Sequence, residues 1–114
     1  MASDLISKIN YATVELGTTC GLLKKAGIEK AQTEAAYRQE LAKLMLEYRT
    51  EGMPVTIIHD VCRGNAKIAK LKLNRDIADS TYQSLLESIN VQKLTIRILE
   101  NQIQREWTTP RGGI

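Results

Sequence analysis

The sequence is poor in the residues on which large globular cores and catalytic sites depend. It contains no Phe, one Trp and one His in 114 residues, with an aromatic fraction of 4%. Aromatic rings supply much of the buried area of a compact core. The apolar residues here are instead mainly Leu, Ile, Ala and Val, which suit helix-on-helix packing. The composition therefore favours a helical interaction protein over a compact enzyme.

The two cysteines and the single histidine do not form a recognisable reactive or metal-binding motif. Cys20 and Cys62 are far apart in the sequence, and His59 with Asp60 and Cys62 lacks the spacing of a standard zinc site. The sequence also lacks a P-loop, a G-x-G-x-x-G and a G-x-S-x-G motif. We predict no catalytic residue, no metal and no cofactor, and we expect Cys20 to be a small core residue.

Long apolar runs are absent as well. No segment reaches the roughly 18 apolar residues that a membrane-spanning helix needs, and the N-terminus MASDLISKIN does not resemble a secretory signal. Two unpaired cysteines fit a reducing compartment. We expect a soluble, cytoplasmic protein without a membrane partner. The net charge of +3 permits an acidic partner but does not require one.

Helical periodicity dominates the first half of the chain and predicts one helix over about residues 3–50. Three glycines lie in or near the middle of this helix, where apolar residues are fewer, and each costs about 1 kcal/mol of helix stability relative to Ala. No proline intervenes, so we expect the helix to continue through Gly17 and Gly21. Its predicted inner row is Leu5, Ile9, Ala12, Leu16, Cys20, Leu23, Gly27, Lys30, Glu34, Tyr37, Leu41, Leu44 and Tyr48.

A turn and a short helix follow. Gly52 suits the position just after a helix, and Pro54 prevents simple continuation. A short helix over about residues 56–63 then ends at Gly64. Its apolar residues predict packing over the ends of the long helices: Val55, Ile57, Ile58, Val61 and Cys62.

A third helix is predicted over about residues 65–107, capped by Asn65. Its heptad row is Ile68, Leu71, Arg75, Ala78, Tyr82, Leu85, Ile89, Gln92, Ile96, Leu99 and Ile103. A second set widens this apolar face and predicts an oligomer interface: Val91, Leu94 and Ile98. Residues 108–114 are predicted to be a tail.

These elements predict an all-α protein with one domain over residues 1–107. It is a long antiparallel, coiled-coil-like helical hairpin with a short connecting helix. Folding symmetrically about the connection would place residue 41 near residue 74 and residue 27 near residue 88. Such a slender chain buries a low fraction of its surface, so we expect a homo-oligomer.

A cluster of positive charge surrounds the start of the third helix and predicts an anion site. Free backbone N–H groups and the helix dipole favour anions there. The competing interpretation is a solvated basic face. Arg75 lies on the apolar row, so we expect it to pair with a carboxylate such as Glu40 or to line a polar pocket. The predicted ligand-binding residues are Arg63, Gly64, Asn65, Lys67 and Arg75.

The segment GMPVTIIHDVCRGN and the helix RDIADSTYQSLLESINVQKLTIRILENQIQREW resemble a family of small helical proteins of temperate phages and prophages of Gram-positive bacteria. The resemblance covers Glu51 to Trp107. The G-x-P-V-T-x-I turn and the I-N-V-x-K-L segment are its specific parts. It implies a phage accessory role in a bacterial cytoplasm and supplies no catalytic residues.

These observations lead to three functional hypotheses, none of them enzymatic. The leading one is an anti-defence protein that sequesters an anionic, nucleotide-type signal. The second is a protein–protein inhibitor of a host factor that acts through the helical face at Val91, Leu94 and Ile98. The third is a recombination accessory that binds single-stranded DNA, although the interrupted positive charge makes nucleic acid the weaker expectation.

Overall fold

The computed structural model describes residues 2–108, and these residues form three helices. Helix α1 spans Ala2–Thr50, α2 spans Val55–Gly64 and α3 spans Ala66–Thr108. No strand occurs within this range. The all-α prediction is confirmed, as is the unbroken first helix. Thr108 belongs to α3, and the rest of the predicted tail lies outside the described residues.

The end of α1 follows from one glycine. Gly52 has φ +88, a left-handed conformation that L side chains rarely adopt. Its N–H donates to the carbonyl of Arg49 over 3.1 Å, and the N–H of Met53 donates to Tyr48 over 3.0 Å. This pair of hydrogen bonds is a Schellman motif, which satisfies carbonyls that the helix end leaves free. Pro54 then precedes α2, so the predicted stop is confirmed.

The contacts of the chain group into two compact units. One comprises Lys25–Gln83 and is called the turn unit; the other comprises Met1–Lys24 with Ser84–Ile114 and is called the terminal unit. In each unit, residues of α1 contact residues of α3 in antiparallel order.

The core of the turn unit is built around α2. Ile58 and Cys62 are fully buried, and Ile68 and Ala78 of α3 are buried as well. The prediction that α2 packs against the long helices is therefore confirmed for these two side chains. It is wrong for the other apolar residues of the segment, because three remain exposed: Val55, Ile57 and Val61.

The terminal unit has a polar layer where an apolar one was expected. Thr19 is buried and Cys20 is exposed. Strict alternation of four- and three-residue steps leads from Leu16 to Thr19, so the prediction that Cys20 is a core residue was wrong by one position. The Gln92 side-chain amide donates to the Thr19 hydroxyl over 2.9 Å. Within the described residues, the other end of the Gln92 amide, Oε1, is buried without a partner.

The predicted register is also wrong. Gly27 packs against Tyr82: a Cβ added at Gly27 would lie 3.4 Å from a ring carbon of that tyrosine. Lys30 and Asp79 form an ion pair at 3.4 Å in the same register. The prediction placed residue 27 near residue 88 because it assumed symmetric folding about the connection. The pairing of α1 with α3 is not symmetric about the connection, because the ten residues of α2 lie between the turn and the start of α3.

The glycines of α1 provide a test of this packing. A Cβ added at Gly17 or Gly21 would meet nothing within 4 Å. Gly17→Ala and Gly21→Ala should each raise the free energy of unfolding by about 0.5–1 kcal/mol, because Ala restricts the unfolded chain and favours helix. Gly27→Ala should gain a similar amount, because a Cβ at this position would be in ordinary van der Waals contact with the Tyr82 ring. Urea unfolding of the three variants measures this, and a loss of stability at Gly17 or Gly21 would contradict the packing.

Candidate functional site

The junction between α2 and α3 is organised by the side chain of Asn65. Its Oδ1 accepts hydrogen bonds from the backbone N–H groups of Lys67, over 2.9 Å, and Ile68, over 3.2 Å. The capping role predicted from the sequence is confirmed. These two N–H groups are among those that a bound anion would use at a helix start. Asn65 therefore occupies part of the anion site predicted for this helix end.

The positive charge at the junction has two kinds of environment. Arg63, Lys70 and Lys72 are exposed, and none of the ion pairs among the described residues includes them. Gly64 is exposed too, and its backbone is open because an added Cβ would meet nothing within 4 Å. An anion could approach Arg63 and Gly64 from solvent.

Lys67 differs because a carboxylate already neutralises it. Its Nζ lies 3.1 Å from Oε2 of Glu40. A shallow pocket of about 240 Å³ adjoins this pair. The lining carries two carboxylates and two lysine ammonium groups, so the pocket offers an anion no excess of positive charge. Its residues are Glu40, Lys43, Leu44, Glu47, Asn65, Lys67 and Ile68.

Arg75 does not join the junction. It follows Asn65 by ten residues, which corresponds to about 15 Å along a helix. Its guanidinium lies 4.5 Å from the ring centroid of Tyr37 and 3.5 Å from a carboxylate oxygen of Glu34. The structure therefore does not bring all five predicted ligand-binding residues together, and the predicted partner Glu40 is replaced by Glu34.

The charge of Arg75 is balanced locally. Two of its nitrogens donate to Oδ1 of Asp76, over 3.1 and 3.0 Å. This hydrogen bond, followed by the charges of Asp76 and Glu34, raises the pKa of Arg75 against the opposing effect of burial. With two carboxylates and a ring around it, Arg75 holds α3 against α1 and has little capacity left for a ligand.

A second cation–tyrosine contact explains the polar middle of α1. The Lys30 ammonium lies 4.9 Å from the ring centroid of Tyr82 and is also paired with Asp79. Lys30 and Glu34 thus face α3 as predicted, with polar partners where an apolar core would otherwise be. Sequence reasoning missed these pairs because they depend on the register.

The predicted interface residues Val91, Leu94 and Ile98 remain 55%, 53% and 49% exposed. They lie roughly 140° around α3 from the row that faces α1, at 100° per residue. They therefore do not widen the α1-facing row, as the sequence prediction had it, but belong to a second one. Leu73 and Ile77 are also exposed and share its heptad spacing. We call these five residues the outer row of α3.

Comparisons with protein-family models, with curated proteins and with solved structures give no match. The resemblance to phage proteins therefore stays a prediction. None of the helices among the described residues is both long and apolar enough to span a membrane. Over residues 2–108, no three metal-ligating side chains cluster in a way that could hold an ion.

The role of Asn65 can be tested by two substitutions. Asn65→Ala removes the acceptor for two N–H groups and should lower the free energy of unfolding by about 1 kcal/mol. Asn65→Asp keeps an acceptor and adds a charge that the helix dipole favours, so stability should be retained. Thermal unfolding compares the two variants. Equal stability of Asn65→Ala and the unchanged protein would show that the cap contributes nothing.

Proposed function

We propose that this protein is a non-enzymatic binding protein whose working form is a homo-oligomer assembled through the outer row of α3. The proposal rests on surface that one chain exposes and cannot cover itself. The binding role retains the second hypothesis from the sequence, in which helical faces rather than a catalytic site carry the function.

The exposed apolar side chains of α3 are the observation that carries this proposal. Val91, Leu94 and Ile98 are 55%, 53% and 49% exposed, and Leu73 and Ile77 are 58% and 56% exposed. These residues follow one heptad series on a side of α3 that α1 does not cover. A second helix laid along this series would bury apolar side chains that one chain leaves in solvent.

The distribution of apolar side chains supports the same conclusion. In the terminal unit, Ile89 is the only buried apolar side chain among the described residues. The same unit exposes large apolar residues on both helices: Ile6, Tyr11, Val14, Leu22, Val91, Leu94, Ile98 and Trp107. Burial of apolar area stabilises by about 25 cal/mol per Å². A second copy that covers the outer row would supply stabilisation that one chain lacks.

The partner beyond the oligomer is indicated by resemblance alone. A phage accessory protein would act in the cytoplasm of a bacterial host, on a host protein or on a signal molecule. Exposed apolar residues that the outer row does not include, such as Tyr11 and Leu22 on α1, support the host-protein version of this proposal. No observation on the terminal unit favours single-stranded DNA.

A second candidate function is the binding of an anionic, nucleotide-type ligand at the α2–α3 junction. The exposed guanidinium of Arg63, which no ion pair among the described residues includes, supports it, together with the open backbone at Gly64. The site of this proposal is smaller than the sequence predicted, because Asn65, Lys67 and Arg75 have partners within the chain. Lys70 and Lys72 are two residues apart on α3 and therefore lie on nearly opposite sides of that helix, so the site centres on Arg63 and Gly64.

Oligomerisation through the outer row predicts that thermal stability depends on protein concentration. The midpoint of unfolding should rise with concentration for the unchanged protein, because association stabilises the folded state by mass action. Leu94→Glu should lower the midpoint and remove this dependence, since a buried unpaired carboxylate opposes association. Differential scanning calorimetry over a hundredfold range of concentration measures both effects.

Val14→Glu is the matched control for this experiment. Val14 is exposed on α1 of the same unit and is not part of the outer row. It should keep the concentration dependence of the unchanged protein. A midpoint independent of concentration in the unchanged protein, or equal losses in both variants, would refute assembly through α3.

The ligand candidate predicts a thermal shift with mononucleotides or cyclic dinucleotides. A bound ligand raises the unfolding midpoint because it stabilises the folded state. At a ligand concentration one hundred times its Kd, the free energy of unfolding rises by about 2.7 kcal/mol. Arg63→Ala should abolish the shift, and Lys25→Ala, at an exposed lysine on α1, should preserve it. No shift across the panel, or a shift that Arg63→Ala retains, excludes this candidate.

A further inference from the structure

The outer row of α3 is apolar at both ends, with Leu73 and Ile77 at one end and Leu94 and Ile98 at the other. Its heptad positions alternate steps of four and three residues without interruption from 73 to 98. Between the two ends, the same positions hold three polar residues, Ser80, Ser84 and Glu87, followed by the apolar Val91. All eight of these residues are exposed.

We infer that two copies of this chain pair their α3 helices antiparallel along the outer row, with a two-fold axis between residues 85 and 86. This inference rests on the proposed oligomer and names its geometry. Leu73 then lies opposite the partner's Ile98, and Ile77 lies opposite the partner's Leu94. In the middle, Ser84 lies opposite the partner's Glu87, and Val91 lies opposite the partner's Ser80. Apolar side chains therefore pair with apolar ones at both ends of the contact.

The spacing suits a coiled coil. An average step of 3.5 residues keeps the row facing its partner when two helices supercoil with a left hand. In an antiparallel pair, each layer joins one position of the heptad to the other, as Ile77 with the partner's Leu94. A two-fold contact is self-complementary, because the same patch serves on both chains.

The charges beside the row favour the antiparallel direction. Asp76 precedes Ile77, and Arg97 precedes Ile98, so both flank the row at the same heptad position. Antiparallel pairing places Asp76 opposite the partner's Arg97, and symmetry forms this ion pair twice. Asp76 holds Arg75 through Oδ1 but keeps 55% of its side chain exposed. Arg97 is exposed as well.

Parallel pairing in register would also match the apolar ends and would place Val91 opposite the partner's Val91, but its charges fit less well. Glu87 would lie directly opposite the partner's Glu87, and like charges at facing positions are destabilising. The residues opposite Asp76 and Arg97 would be the partner's Thr81 and the partner's Gln102, neither of which carries a charge. The charges beside the outer row therefore favour antiparallel pairing of the two α3 helices, and its apolar ends align the helices along their axes.

Disulfide trapping tests the direction of pairing. The experiment uses full-length chains with Cys20→Ser, because Cys20 is the exposed cysteine, whereas Cys62 is fully buried. Leu73→Cys and Ile98→Cys are added to separate chains, which are oxidised alone and then as an equimolar mixture. Antiparallel pairing predicts cross-linked dimers in the mixture and few in either chain alone. Parallel pairing predicts cross-links in each chain alone.

Solution mass, measured on the same samples, distinguishes the two levels of the proposal. Cross-links in each chain alone would overturn the antiparallel direction and leave the oligomer intact. A dimeric mass without cross-links in any sample would place the contact on another face and overturn the inference too. A monomeric mass in the unchanged protein would overturn the proposed oligomer itself.

A charge substitution gives an independent measurement. Arg97→Glu should weaken dimerisation by roughly 2- to 5-fold or more, because it places carboxylates opposite each other at both ion pairs. Lys93→Glu makes the same change in net charge at an exposed residue away from the row, and it should leave the dimer dissociation constant within about 2-fold. Equal effects of the two substitutions would contradict the pairing.

Discussion

The constraint on which the rest of this structure depends is that α3 carries apolar side chains on two sides and α1 can cover only one of them. The α1-facing row is buried or half-buried from Ile68 to Ile103. Each side chain of the outer row is roughly half exposed. Two long helices and one short helix enclose little interior. This exposed side of α3 is the basis for the proposal that another chain covers it.

The polar contacts between α1 and α3 serve alignment more than stability. Arg75 is held between Tyr37, Glu34 and Asp76, and Thr19 pairs with Gln92. Partly exposed ion pairs contribute little to the free energy of folding. Buried polar residues in coiled coils commonly fix register at a cost in stability, and Gln92 shows this cost because its Oε1 is buried without a partner in the described part of the chain. Alternative registers would separate these pairs.

Local signals in the sequence predicted the helices and most of the residues that face inward, whereas the register between α1 and α3 could not be predicted. Gly52, Pro54 and Asn65 mark their boundaries by backbone chemistry that acts within a few residues. The heptad row of α3 was predicted residue by residue. The register between α1 and α3 was not predicted correctly, because it depends on how many residues α2 inserts between the turn and α3. Cys20 was assigned to the core by a step of four where the heptad required three.

In the candidate sites, too, local features could be predicted and features that depend on the register could not. The cap at Asn65 was predictable, but its consequence for an anion was not, since the cap uses N–H groups that the ligand would need. The partners of Lys67 and Arg75 depend on the register. Leu73 and Ile77 were missed, although their spacing to Val91, Leu94 and Ile98 is a multiple of the heptad. Exposure, which only the fold gives, separates these five residues from the α1-facing row.

Sedimentation equilibrium of the unchanged protein tests the central claim most directly. Assembly through α3 predicts a mass of at least twice the 12.8 kDa of one chain at micromolar concentrations. A mass of one chain at every concentration, up to the millimolar range, would contradict it.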